Sequence, residues 1–317
     1  MSRNSSDLLP FTCNTSFDSK FEIAKYIGTL IYLVPGVLLH FLILRCILFK
    51  ERRVFKESSF FQIYATDSIA SAWILFWNIF VDRLFLYVPP LCPIVGPFFW
   101  SPSILLKVYY YTTAHARFAK AVTQVIMVLN RMSCVLLTNN YTQVWRQLTP
   151  ISIFLVVIVP LGGTWNVLIS RVYLLPAFGG FGVNYRKTVE WASLSMFQSI
   201  YILTALVFTV ICTSVTLYKL IFLPERIRSA EKSLCFTSIF ISITFLLVAG
   251  TQLLFVFCES CKPQELFIAQ FLAFDILNVG SAMIMLVTNT QLRELIFPVR
   301  RGIGDRIFQI STNNSSS

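Results

Sequence analysis

Residues 26–49 read YIGTLIYLVPGVLLHFLILRCILF, and this stretch decides the fold class. Its only charged side chain is Arg45. An α-helix rises about 1.5 Å per residue, so about 20 apolar residues cross a hydrocarbon layer about 30 Å thick. The run is long enough to do so. It is apolar on all sides, whereas strands of a spanning β-barrel would alternate in polarity every residue.

Working outward, six further runs of spanning length occupy 59–81, 104–129, 148–170, 194–218, 234–257 and 266–288. The 104–129 run is the least apolar, because it carries Lys107, His115, Arg117 and Lys120. Pro35, Pro150 and Pro160 fall inside spans, where neighbouring helices can satisfy the backbone groups that a proline frees. The 317 residues are 56% hydrophobic and 13% charged, about half the charge of an ordinary soluble domain. The expected architecture is an all-α membrane protein: a seven-helix transmembrane bundle over 26–288, after a polar segment 1–25 and before a tail 289–317. No internal repeat is visible, which disfavours an inverted-repeat transporter.

Orientation follows from Lys and Arg in the connectors. With the N-terminus outside, fifteen of them lie in cytosolic segments and eight, among them Arg83, in outer ones. The N-terminus is therefore expected outside, with 1–25 extracellular and 289–317 cytosolic. Residues 1–20 lack the apolar core of a signal peptide, so the first span serves as its own insertion signal. The net charge of +11 sits in short connectors. That points to lipid headgroups and a cytosolic partner rather than to nucleic acid.

The cysteines agree with this orientation. Cys13, Cys92, Cys258 and Cys261 fall on the oxidising side, while Cys46, Cys134, Cys212 and Cys235 fall in spans or on the cytosolic side. Four thiols permit three pairings, and the expected one joins Cys92 to Cys258 or Cys261. The C-x-x-C spacing of the latter two has no second ligand pair nearby to make a zinc site. Asn4 and Asn14 are candidate glycosylation acceptors, although Asn140, Asn313 and Asn314 match the same short pattern in inner segments.

An enzyme finds few of its usual parts here. The chain has two histidines, His40 and His115, and no metalloprotease, phosphate-loop or nucleophile-elbow motif. Gly302, Ile303, Gly304 and Asp305 resemble an intramembrane aspartyl protease signature, but Asp305 follows the last span among Arg300, Arg301 and Arg306. No catalytic residue, metal or cofactor is expected.

Ionisable side chains inside spans do stand out, because each costs about 2.5–3.5 kcal/mol on insertion scales and such groups usually face the bundle interior. They are Asp67, Lys120 and Asp275, with His115 and Arg117 nearer the outer face. If Arg131 marks the inner interface, Lys120 lies about 16 Å and Arg117 about 21 Å above it, with Asp275 at about 20 Å and Asp67 at about 12 Å. Lys120 is thus expected to pair with Asp275 or Asp67 in a polar cluster, below an outward cavity lined by Arg117 and His115. Such a cavity suits an anionic or hydrogen-bonding small ligand. The alternatives are a purely structural network, or a transporter or ligand-gated channel that uses Asp67, Lys120 and Asp275 as a pathway. At the inner ends, Arg131 could hold the bundle closed and then meet a partner. Lys219 to Lys232 reads as a basic helical extension containing Pro224. Leu292, Leu295 and Ile296 read as one face of a short surface helix, with Arg293, Arg300 and Arg301 against anionic lipid.

Several of these residues occur in a familiar arrangement. Leu129, Asn130, Arg131 and Met132 are followed by Ser133, Cys134, Val135 and Leu136, then Tyr141 and Trp145. Ala230, Glu231, Lys232, Ser233 and Leu234 open the sixth span, which later carries Gln252. Over about 26–297 the chain resembles the nematode serpentine receptors of class gamma. The resemblance implies a G-protein-coupled-receptor-like bundle, a small-molecule ligand, a heterotrimeric G protein as partner and a sensory-neuron plasma membrane. It carries the G-protein switch role to Arg131 with Asn130, which stand where rhodopsin-like receptors have an Asp-Arg-Tyr sequence, and it likens Asp67 to the span-two aspartate of such receptors. Two features depart from the wider receptor pattern. The 171–193 loop has no cysteine, and Asn278 in span seven is followed by Val279 rather than proline.

Overall fold

The computed structural model describes residues 13–14, 16–50, 55, 57–100, 103–137, 140–220, 225–257 and 263–297. Among them, seven long helical rods form a bundle. α1 (Ser19–Arg45) is capped by the Asp18 carboxylate, which accepts from the Lys20 N–H, and runs on into a π-helical turn at Cys46–Lys50. α2 (Ser59–Trp77) continues through a π-helical turn at Asn78–Arg83 and a final α-turn at Leu84–Tyr87. The short α3 (Cys92–Trp100) leads into α4 (Ile104–Leu136), the central rod. α5 (Tyr141–Ile158) and α6 (Leu161–Ile169) together make the fourth crossing. α7 (Leu194–Leu220), α8 (Glu225–Phe257) and α9 (Pro263–Thr288) complete the bundle, and the short α10 (Thr290–Ile296) follows.

Six of the rods are long and apolar enough to cross a membrane, and α8 supplies a shorter apolar stretch, Ile239–Leu254. α4 packs chiefly on α2 and α7, α8 on α7 and α9, and α1 on α2 and α9. The core between them includes Phe60, Tyr64, Met127, Trp145, Phe245 and Met285. Large apolar side chains such as Ile31, Phe154, Val207, Ile211 and Val287 stay exposed on the outer faces. A surface this apolar marks contact with lipid rather than water.

Several spans differ in extent from the sequence expectation: the first helix starts at Ser19 rather than at residue 26 and the sixth at Glu225 rather than at 234. The second runs to Tyr87 rather than to residue 81, because Asp82 and Arg83, which close the apolar run, find partners inside the bundle and need no water. The third extends past Arg131 to Leu136, so Arg131 does not mark its end. The fourth starts at Tyr141 and breaks near Pro160, where the Tyr201 hydroxyl from α7 donates to the Val159 carbonyl at 2.6 Å. That bond satisfies a carbonyl beside the break.

Between α6 and α7 the chain forms an antiparallel hairpin, β1 (Arg171–Ala177) with β2 (Gly180–Arg186), in which Ala177 faces Gly180 and Leu175 faces Gly182. Its two central turn residues, Phe178 (φ 52°) and Gly179 (φ 79°), both lie in left-handed space, as a two-residue hairpin turn of matching twist requires. Phenylalanine is a costly choice there. Burial offsets the strain, because the Phe178 ring is 8% exposed and packs near Phe17, Tyr87 and Phe267. Gly180 sits against the Phe85 carbonyl, where a Cβ would overlap backbone. The hairpin is thereby seated on the upper end of α2.

The disulfide expectation is corrected: Cys92 pairs with Cys13, with Cα atoms 6.0 Å apart, and ties the segment before α1 to α3. Cys258 and Cys261 lie outside the described residues, as do Asn4, Pro224, Arg300 and Arg301. At the opposite end, α10 is capped by the Asn289 side chain, which accepts from the Leu292 N–H at 2.8 Å. Leu292 is fully buried against the bundle, and Lys50 Nζ donates to the Leu295 carbonyl at 2.8 Å.

Candidate functional site

The hairpin roofs a cavity of about 540 Å³ that opens among α2, α4, α7 and α9, a size typical of small-molecule sites. The π-helical turn of α2 contributes Asn78 and Asp82; α4 contributes Tyr109, Tyr110, Thr113, Ala114 and Arg117. Phe267, Gln270, Phe271 and Phe274 come from α9, and Leu175, Phe178, Gly182 and Val183 from the hairpin region. The walls include six aromatic rings, and most of the polar groups lie on α2 and α4, with Asn184 on β2 and Gln270 on α9. A π turn inserts a residue into the helical ladder and turns the following side chains, a device frequent at functional sites. Here the π turn carries Asn78, Asp82 and Arg83.

Several polar atoms at that end have no hydrogen-bond partner although buried: Asn78 Oδ1, Asp82 Oδ2, Thr113 Oγ1 and Arg117 Nε. The other Asp82 oxygen accepts from the Tyr109 hydroxyl. An Arg117 Nη lies 3.8 Å from Asp82 Oδ2, longer than a hydrogen bond, and its guanidinium sits 5.4 Å from the Phe274 ring centroid. Buried polar atoms are rarely left unsatisfied, and their convergence on one cavity marks where a polar ligand group would be held.

The intramembrane charges form two separate pairs rather than one cluster. Lys120 donates to both Asp67 oxygens at 3.1 Å and to Ser71 Oγ at 2.5 Å, joining α4 to α2. Asp275 is bound to Arg83 at 2.7 Å and to the Tyr32 hydroxyl at 2.8 Å, joining α9 to α2 and α1. Arg83 is also stacked 3.8 Å from the Phe271 ring centroid. The expected three-residue cluster is therefore corrected: its equal-depth estimate admits Asp67, but Asp275 belongs to Arg83, an arginine first assigned to an outer connector. Both pairs are almost wholly buried, with side-chain exposures of 4%/4% and 3%/1%.

Of the four candidate ligand residues, only Arg117 lines the cavity. His115 is not among its lining residues and packs beside Tyr111, ring centroids 6.0 Å apart. Lys120 lies below, on a narrow void of about 10 Å³ that Arg117, Phe274 and Asn278 also border. Asp275 lines neither space. Asn78, Asp82 and Thr113 escaped the sequence reading. The signal available for Asp82 was a second charge beside Arg83 at the end of an apolar run. The exposed Asn14 Oδ1 accepts from the Ser16 N–H and hydroxyl at 2.9 and 2.7 Å.

At the opposite end of the bundle, Arg131 is 5% exposed and Asn130 fully buried. Arg131 donates to Asn130 Oδ1 at 2.9 Å and lies 4.0 Å from the Phe60 ring centroid. Asn130 donates to Ser59 Oγ at 3.0 Å and accepts from the Tyr141 hydroxyl at 3.1 Å, while Ser59 and Tyr141 are 2.9 Å apart. A few residues on, the Trp145 indole donates to Ser133 at 2.5 Å. This network fastens the end of α4 to the starts of α2 and α5, with the arginine folded inward.

Comparison with known proteins places this arrangement. Residues 26–296 match the family described as Srg family chemoreceptor. Serpentine receptor class gamma-15 of Caenorhabditis elegans is 55% identical over 100% of this chain and 99% of its own length. Serpentine receptors class gamma-16 and gamma-17 of the same nematode are 53% and 52% identical, over 90% and 95% of this chain and 88% and 95% of theirs. The matches run from α1 to α10, and the chain belongs to the Srg family of serpentine chemoreceptors.

Proposed function

We propose that this protein is a chemosensory receptor of the plasma membrane that binds a small ligand beneath the hairpin and controls a heterotrimeric G protein from the Arg131 end. The observation that carries the reading is the pairing of two features at opposite ends of one bundle. One is a ligand-sized cavity with unsatisfied polar atoms, and the other is an inward-folded arginine that donates to Asn130. The disulfide between Cys13 and Cys92 lies at the hairpin end and supports an oxidising, outer location for it. Arg83 and Arg131 are both buried, so leaving them out removes one cation from each side and keeps the inner excess that favours an outside N-terminus.

The proposed coupling is a shift between two packed states. Arg117 and Phe274 border both the cavity and the void beside Lys120. A ligand that draws Arg117 away therefore changes the field and packing around the Lys120–Asp67 pair, which joins α4 to α2. Movement of α4 against α2 in turn strains the network of Asn130, Ser59 and Tyr141 and releases Arg131 toward the partner. Sensory-neuron placement follows from the family reading.

The test is a panel of small molecules applied to cells expressing the receptor with a G-protein reporter. A response in the wild type should vanish with Gly182→Trp, which adds bulk where a Cβ meets nothing within 4 Å on the cavity wall, and with Arg131→Ala. A response that survives Arg131→Ala refutes the coupling. One that survives Gly182→Trp refutes the cavity.

A further inference from the structure

The unpartnered atoms of the cavity are specific about the ligand they would accept. Asn78 Oδ1 and Asp82 Oδ2 can only accept, and Thr113 Oγ1 can accept or donate. Asn78 and Thr113 are 2% and 3% exposed, so water does not freely substitute. Among the fully enclosed atoms one is a donor, Arg117 Nε, and the Nη groups of Arg117, whose side chain is 27% exposed, are further donors. A polar atom left unmet in such a place costs about 1–3 kcal/mol, so the complementary head group is rich in donors.

A carboxylate could accept from Arg117 and Thr113, but it would place a second anion beside Asp82 and leave the Asn78 and Asp82 oxygens empty. An ammonium has three N–H donors and no acceptor, which matches the three oxygens. The walls agree with that choice. Tyr110, Phe178, Phe267, Phe271 and Phe274 line the cavity, and the faces of aromatic rings attract cations. Arg117 is a like-charged competitor that can give way, since at 3.8 Å it holds Asp82 loosely and has the Phe274 ring as a second neighbour.

Resting on the reading of this cavity as the ligand site, we propose that its ligand class is a cationic amine. The ammonium donates to Asp82 Oδ2, Asn78 Oδ1 and Thr113 Oγ1, and an aromatic or aliphatic body lies against the phenylalanines of α9. The amine competes with Arg117 for Asp82. Arg117 also borders the void beside Lys120, so the same competition starts the displacement described above.

Three probes with one phenyl body and different heads separate the possibilities: 2-phenylethylamine, 3-phenylpropanoate and 2-phenylethanol. Each is added to the full-length receptor in lipid nanodiscs, and thermal unfolding is followed by intrinsic fluorescence. The amine should raise Tm by a few degrees and the propanoate should not. Asp82→Asn, which keeps an acceptor for Tyr109, should weaken the amine about tenfold or more, as loss of a charged hydrogen bond does. Thr113→Val, a shape-conserving change, should weaken it several-fold. Gly182→Trp should abolish the shift. Stabilisation by the propanoate that Gly182→Trp removes overturns the amine class and leaves the cavity reading standing. An amine shift indifferent to Gly182→Trp overturns both. An amine shift that Gly182→Trp removes but Asp82→Asn and Thr113→Val leave unchanged, or no shift with any head, overturns the amine proposal.

Discussion

Replacing Asp275 by Leu leaves Arg83 charged and almost fully enclosed. The pair is 2.7 Å long with side-chain exposures of 3% and 1%, and removing one partner of a buried ion pair costs about 3–5 kcal/mol. Tyr32 loses its acceptor as well, which adds about 1 kcal/mol. The Phe271 ring face remains under the guanidinium, but a desolvated cation–π contact contributes about 2 kcal/mol, less than the lost ion pair. The single variant is therefore expected to lose about 3–5 kcal/mol. Arg83→Met combined with Asp275→Leu should recover most of it, because an apolar pair of similar volume is often neutral. Denaturant unfolding of wild type, both singles and the double in bicelles gives the coupling energy directly. A coupling of about 3 kcal/mol or more is expected. A value below about 0.5 kcal/mol, or equal coupling of Asp275 to Lys120, would refute the division of the intramembrane charges into two pairs.

Three further outcomes follow from particular contacts. Lys120→Met and Asp67→Leu should each destabilise by about 3–5 kcal/mol and largely cancel when combined, as read by the same unfolding assay. Gly180→Ala drives a Cβ into the Phe85 carbonyl and should cost about 1–3 kcal/mol by overpacking, with reduced surface delivery. Gly182→Ala, which meets open space, should be neutral. Peptide mapping without reduction should recover Cys13 bound to Cys92, and Cys92→Ser should lower stability by about 2–4 kcal/mol, since the bond closes a loop with a sequence separation of 79.

The spans were legible because crossing a bilayer demands a long apolar run whatever the protein does. Their ends were not, where a charge that looks like a boundary finds a partner. Asp82 and Arg83 stop the hydropathy signal, yet the helix continues to Tyr87 because Tyr109 and Asp275 receive them. Depth arithmetic put Lys120 near both acids but could not choose between them. It assumes a uniform rise and gives no azimuth, whereas the π-helical turn at Asn78–Arg83 re-aims the residues of α2. The hairpin carried a usable sign in Gly179 and Gly180 between two strand-like runs. Phe178 at positive φ hides the turn, since only its burial explains it. The Cys13–Cys92 bond was among the permitted pairings, but nothing in residue spacing favours it.

The account turns on Arg131 being held inward by Asn130 until a signal arrives. Full-length receptor in nanodiscs with a purified heterotrimeric G protein allows guanine-nucleotide exchange to be timed without ligand. Losing hydrogen bonds to a charged group shifts a two-state balance by about 1.5–3 kcal/mol, so Asn130→Ala should raise basal exchange about tenfold. Adding Arg131→Ala should return it to the receptor-free rate. Exchange that stays at the receptor-free rate in a folded Asn130→Ala protein, or that survives loss of Arg131, contradicts the account.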